Sequence, residues 1–132
     1  MRYMLDTNIC IYIIKRKPEK VLHKFLEFDI DEIGISTITL AELEFGIQNS
    51  SRPLQNKIAL AEFILPLKIV SFDEIAAEKY GIIRSDLKKK GNLIGELDML
   101  IAAHAKSIDC VLITNNEKEF KRVNNLIVEN WV

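Results

Sequence analysis

The stretch Cys110-Val111-Leu112-Ile113-Thr114-Asn115-Asn116 decides how the chain is read. An apolar run of four residues stops abruptly at three polar ones. So short a run, bounded by turn-forming residues, fits a central strand covered on both faces. The same punctuation recurs outward from it. The run 2–5 stops at Asp6-Thr7-Asn8, and Ile33-Gly34-Ile35 stops at Ser36-Thr37. Residues 67–72 read as a further strand before Asp73, and 126–128 as a last one.

Helical patterns fill the gaps. Thr7 or Asn8 can cap a helix over 9–15, with Lys15-Arg16-Lys17 at the end where cations suit the dipole. Pro18 opens a second, carrying Val21, Leu22, Phe25, Leu26 and Phe28 at helical spacing. Ser36 or Thr37 caps a third, running to about Asn49, and Pro53 starts a fourth. Asp73 caps a fifth, which ends at Lys88-Lys89-Lys90 with Gly91 in the C′ position. A sixth covers 96–106 and a short seventh 116–122.

Strands alternating with helices predict an α/β fold, a three-layer α/β/α arrangement around a mainly parallel sheet of about five strands. Its ligands belong in the crevice outside the carboxyl ends of the strands. The 132 residues suit one domain spanning 1–132, with no linker or repeat. Eighteen basic against nineteen acidic residues leave a net charge of −1, against a disordered tail or a basic nucleic-acid coat. No apolar run approaches the roughly 20 residues of a membrane span, and the N-terminus lacks a secretory pattern. Cys10 and Cys110 lie in apolar runs and read as buried, reduced thiols, so a cytoplasmic location is expected.

The strand-end rule directs attention to Asp6 and to Thr114-Asn115-Asn116. Two more acids sit oddly. Glu42 lies on a helix apolar on most sides, about 40° from Ile38 on the wheel. Asp98 heads a stripe containing Ile101, Ala102 and Ala105. Singly, Asp6 and Asp98 can be helix caps and Glu42 a solvated residue. Together at one sheet edge, the three carboxylates repel one another unless a cation joins them. Oxygen donors of this kind suit Mg²⁺ or Mn²⁺, which can activate water and offset a phosphodiester's charge.

These positions also carry a family resemblance. Met4-Leu5-Asp6-Thr7-Asn8, Ile35-Ser36-Thr37-Ile38-Thr39-Leu40-Ala41-Glu42-Leu43, Ile94-Gly95-Glu96-Leu97-Asp98-Met99-Leu100-Ile101-Ala102-Ala103-His104-Ala105, Thr114-Asn115-Asn116-Glu117-Lys118-Glu119-Phe120 and Val128-Glu129-Asn130-Trp131 together resemble the PIN domain of VapC-type toxins. The match runs in order over essentially the whole chain. It implies a PIN-like fold and a metal-dependent endoribonuclease, the toxin of a type II toxin–antitoxin pair. It further implies a small VapB-type antitoxin as partner and a homodimer. Carried over by position, the acids are Asp6, Glu42 and Asp98, all expected as catalytic residues and metal ligands. The fourth position falls on Asn116, where the family often has Asp. Asn116 is expected to orient a water or ligand, with Glu119 one turn on as the reserve. Thr7, Asn8 and Thr114 are expected to hold the acids in place.

A second reading is a PIN-like domain kept as a protein-binding module, towards which only Asn116 leans. A phosphoacceptor receiver domain would need paired acids after the first strand and a lysine after the last, a layout not seen here. A dinucleotide-binding fold lacks its glycine-rich loop. Basic clusters at Lys15-Arg16-Lys17 with Lys20, at Arg84 with Lys88-Lys89-Lys90, and at Lys118, Lys121 and Arg122 read as solvated helix ends or as a phosphate track. His104, about 240° from Asp98 on the wheel, reads as a packed histidine. Trp131 and Tyr80 read as core or interface.

Overall fold

Five apolar runs become strands in a computed structural model that describes residues 1–132. They are β1 (Tyr3–Leu5), β2 (Ile33–Ser36), β3 (Lys68–Val70), β4 (Val111–Ile113) and β5 (Val128–Glu129). All pairings are parallel, and the spatial order is β3-β2-β1-β4-β5. The helices are α1 (Thr7–Lys15), α2 (Glu19–Leu26), α3 (Thr37–Gln48), α4 (Pro53–Ile64), α5 (Glu74–Lys89), α6 (Glu96–Ser107) and α7 (Glu117–Phe120). A single 3₁₀ turn, Ile30–Glu32, leads into β2.

Side-chain alternation along β1 builds two cores. Tyr3 and Leu5 enter a cluster of 14 buried residues that takes Ile9, Cys10, Val21, Leu43 and Leu60 from α1 to α4. Met4 enters a cluster of 13 that takes Ile83, Met99, Ala102 and Phe120 from α5 to α7. The sheet therefore lies between two helical layers, as the alternating pattern predicts. Both cysteines are buried and free. Trp131 is core: it stacks on Phe28 at 5.4 Å between ring centres. No helix is long and apolar enough to cross a membrane.

Several boundaries differ from the sequence reading, each for a local reason. α1 starts at Thr7, not Ile9, because the Asp6 side chain is the cap. β3 stops at Val70, short of Phe72, whose backbone N–H is diverted to Thr37 Oγ1 at 3.2 Å. β5 is Val128–Glu129, set by Leu112 N–H bonding Ile127 O and Thr114 N–H bonding Glu129 O. α7 is only the four residues Glu117–Phe120.

The strand order also locates the crevice. From β1 the chain builds outward through β2 to β3, then returns to add β4 and β5 on the other side. The β1/β4 seam is thus the topological switch point, where the loops leaving the strand ends part and a ligand crevice opens. Asp6 and Thr114 are the residues that follow β1 and β4 there.

Candidate active site

Asp6 stays in the ladder, its N–H bonded to Ile113 O at 2.8 Å. Its side chain is fixed at both oxygens. Oδ1 accepts from Thr7 N–H at 2.8 Å and Oδ2 from the Thr114 hydroxyl at 2.7 Å. The residue is only 5% exposed. Burial raises its pKa above the usual carboxylate value, and the Thr114 and Thr7 hydrogen bonds oppose that rise. Helix cap and site acid are therefore the same carboxylate.

Ser36 caps α3 by accepting from Ile38 N–H at 3.0 Å, which sets the start of the helix carrying Glu42. Thr7 donates its hydroxyl to Glu42 Oε1 at 2.8 Å. Asp98 lies half-buried in the first turn of α6. Its carboxyl is pushed up to about 6, first by burial and then by the negative charges of Asp6, Glu42 and Glu119. Residues as far apart as 6 and 119 in sequence thus meet at the β1/β4 crevice, and the three acids singled out in the sequence are together. Of the donors expected behind them, Thr7 and Thr114 are in place, whereas Asn8 is exposed.

The fourth position is divided between two residues. Asn116 is half-buried and reaches the site through its backbone, donating N–H to Thr114 Oγ1 at 2.9 Å. Its side chain makes no capping bond to α7. Glu119, one turn on, is the third acid whose charge raises the Asp98 pKa, after Asp6 and Glu42. Arg122 lies 3.5 Å from Glu119 Oε2 and also donates to Leu93 O at 3.2 Å, tying α7 to the loop before α6. The reserve carboxylate of the sequence reading is therefore at the site, and Asn116 beside it.

The donor chemistry fits a hard divalent cation: four carboxylates and hydroxyls, with no thiol or imidazole among them. As the side chains stand, no three His, Cys, Asp or Glu groups close around one point. Like charges in a partly dry crevice stand apart, and Asp98 records that repulsion.

Basic residues border this crevice unevenly. On α7, Lys118 is exposed, while Lys121 and Arg122, just after it, face Glu117 and Glu119 at 3.9 and 3.5 Å. Arg84 receives no more than a loose pairing with Glu96 at 3.6 Å and donates to Tyr80 Oη at 2.6 Å. Lys15, Arg16 and Lys17 lie at and just beyond the far end of α1, roughly 13 Å from its N-terminus at 1.5 Å per residue. His104 is buried away from the acids, with Nδ1 2.7 Å from Ser36 Oγ. Sequence periodicity predicts its burial and is blind to its partner.

Comparison with known proteins agrees with this geometry. A family model for the PIN domain matches residues 3–126. The chain is 45% identical over 132 residues to Ribonuclease VapC2 of Rickettsia felis, covering 99% of this chain and 98% of that protein. It is 40% identical over 131 residues to the tRNA(fMet)-specific endonuclease VapC of Salmonella typhimurium, covering 99% and 98%. Among solved structures, DNA-bound VapBC from Salmonella typhimurium superposes with a TM-score of 0.94 at 39% identity, over 100% of this chain and 99% of that one. The ordered acids at the β1/β4 crevice and the full-length likeness agree: the chain belongs to the PIN-domain family, in the company of the VapC ribonucleases.

Proposed function

We propose that this protein is a divalent-cation-dependent endoribonuclease, the toxin of a toxin–antitoxin pair. One observation carries the reading: Asp98 sits at the switch-point crevice under the charge of Asp6, Glu42 and Glu119. Such a cluster is unfavourable in a folded protein unless a cation completes it. Asp6, Glu42 and Asp98 would hold Mg²⁺ or Mn²⁺, with Glu119 completing the set. The bound ion would offset the charge of a phosphodiester and make water a better nucleophile. Thr114 and Thr7 fix Asp6, and Thr7 fixes Glu42, so two carboxylates keep their orientation as substrate arrives. Glu42, half-exposed and held by one oxygen, has a second oxygen free to accept the proton of the attacking water. In-line attack then leaves a 5′-phosphate and a 3′-hydroxyl. Glu119 offers a fourth carboxylate beside Asn116, and this supports the catalytic reading over a non-catalytic binding module.

The relatives' names make RNA the substrate, and a transfer RNA the first to test. The partner is a VapB-type antitoxin. A groove of ≈ 280 Å³ between α1, α3 and α4, lined by Ile11, Ile14, Leu43, Ile47 and Leu60, has Glu42 on its wall. An apolar antitoxin segment seated there would end beside the acids. Phe45, Leu54, Ile58 and Leu65 are 62–86% exposed and extend this apolar surface, which also suits a homodimer.

The test is incubation of purified, antitoxin-free protein with a cellular RNA pool, with Mg²⁺ or Mn²⁺ and with chelator. Cleavage is expected only with the metal, and not by Asp6→Asn or Asp98→Asn. Equal cleavage by wild type and both variants would overturn the reading, as would none by any.

A further inference from the structure

We infer that His104 is a positioning residue: its buried hydrogen bond to Ser36 fixes the spacing between the two helices that carry Glu42 and Asp98. The inference rests on the reading of those acids as metal ligands.

Ser36 is 0% exposed and His104 1%. Their polar atoms, Oγ and Nδ1, are 2.7 Å apart. Burial lowers the imidazole pKa, so the ring is neutral at neutral pH, although the Asp73 charge and a Ser71 backbone bond oppose the fall. A neutral ring has one N–H. In the tautomer protonated at Nε2, Nδ1 accepts the Ser36 hydroxyl proton. Ser36 Oγ in turn accepts from Ile38 N–H at 3.0 Å. Ser36 Oγ thus has two partners, the ring nitrogen and the Ile38 N–H, and both polar side chains of the relay are satisfied inside the protein. The Phe72 ring meets the imidazole edge-on at 5.5 Å and closes the side towards β3.

The relay occupies one end of a four-cornered arrangement. Six positions separate Ser36 from Glu42 on α3, and six separate Asp98 from His104 on α6. At 1.5 Å per residue, each side is about 9 Å long. Ser36 and His104 are bonded at one end, and Glu42 and Asp98 face each other electrostatically at the other. The two segments therefore run in opposite senses with matched lengths. Carboxylates that repel push these helices apart, and a directional bond at the far end resists that motion. Apolar packing alone would tolerate a slide. The sequence motif is built the same way: Ser36 and Glu42 share one segment, Asp98 and His104 the other.

The test compares His104→Leu, which keeps bulk and deletes the bond, with His104→Asn, whose amide oxygen can accept from Ser36. Mn²⁺ dissociation constants are measured by calorimetry without RNA, together with thermal unfolding, kcat and KM. His104→Leu is expected to bind Mn²⁺ about tenfold more weakly and to lose about tenfold in kcat, with KM within about twofold. His104→Asn is expected to recover most of both. Ser36→Ala deletes the same bond together with the α3 cap, so it should lose at least as much Mn²⁺ affinity as His104→Leu, and the double variant should lose little more than Ser36→Ala. Unchanged Mn²⁺ affinity in a destabilised but folded His104→Leu protein overturns the inference, as does an Asn variant no better than Leu. Should His104→Leu not fold, Ser36→Ala carries the same comparison. Wild-type protein that binds no Mn²⁺ overturns the metal reading beneath the inference, and the inference with it.

Discussion

Thr114 Oγ1 lies 2.7 Å from Asp6 Oδ2, and this bond spans the seam between β4 and β1. Two residues 108 positions apart are thereby joined at the point where the sheet changes its direction of growth. The bond also links α7, since the same hydroxyl oxygen accepts the Asn116 N–H.

Thr114→Val is therefore expected to leave a buried carboxylate oxygen without its donor. The expected cost is about 1–3 kcal/mol at neutral pH, read as a lower urea midpoint. Metal affinity or activity should fall about tenfold or more. Thr114→Ser retains the hydroxyl and should lose little. A valine variant as stable and as active as wild type would show that Asp6 does not depend on this bond.

Asp98 contributes a pH dependence to the stability of the metal-free protein. Its folded pKa, about 6, lies above the ordinary 3.8, so the folded state binds the proton more tightly. Its contribution to stability is full below about pH 4 and lost as pH rises through 6. The shift corresponds to at most about 3 kcal/mol. The carboxylate is half-exposed, and solvent screening reduces that to about 1 kcal/mol. Asp98→Asn should thus stabilise the metal-free protein by about 1 kcal/mol at pH 8 and by almost nothing at pH 4. Added Mn²⁺ should raise the melting temperature of wild type and not of the variant. Parallel stability–pH curves for the two proteins would contradict the assignment.

Gly34 is required by the β2/β3 pairing. A Cβ there would sit 2.6 Å from Lys68 O and would also strike Met1 Sδ. The sulfur can move, but the carbonyl belongs to the ladder. Gly34→Ala is expected to cost about 1–3 kcal/mol. Amide exchange should quicken first along Lys68–Val70, the edge strand. Unchanged protection of β3 would show that the strands can separate without penalty.

Much of this architecture was legible because buried parallel strands are short, apolar and followed by polar residues. Residues 110–113 and 33–35 carry that pattern plainly. The edge strand was read too, over 67–72, but its end was overrun, because Lys68 and Ile69 are exposed and a side-chain hydroxyl takes the Phe72 N–H. Asp6 was legible for the same reason, since position relative to a strand end is a local property, whereas Glu42 in mid-α3 and Asp98 in the first turn of α6 stood out by helix periodicity and the family motif. Their partners were not. Thr7 with Glu42 and Ser36 with His104 are 35 and 68 positions apart, and nothing local announces either bond. Asp6 shows how two readings merge, since capping α1 and the proposed hold on a cation would use different lone pairs of one carboxylate.

Glu119 and Asn116 provide the sharpest test of the site. Motif position favours Asn116, whereas electrostatics favour Glu119, whose charge raises the Asp98 pKa. Asn116 contributes its backbone N–H to Thr114, and that contribution survives any side-chain change except proline. Asn116→Ala should therefore change activity less than about threefold. Glu119→Gln removes a negative charge from the cluster without altering shape. It should lower the Asp98 pKa, weaken metal binding and cost about 10- to 100-fold in activity, the usual range for groups supporting a metal site. Arg122→Gln should have a smaller effect of the same kind, because Arg122 meets Glu119 only at 3.5 Å and is itself partly exposed. Carboxyl titration of Asp98 by NMR, read in wild type and Glu119→Gln, separates the two residues directly. A larger loss from Asn116→Ala than from Glu119→Gln would return the fourth position to the asparagine side chain.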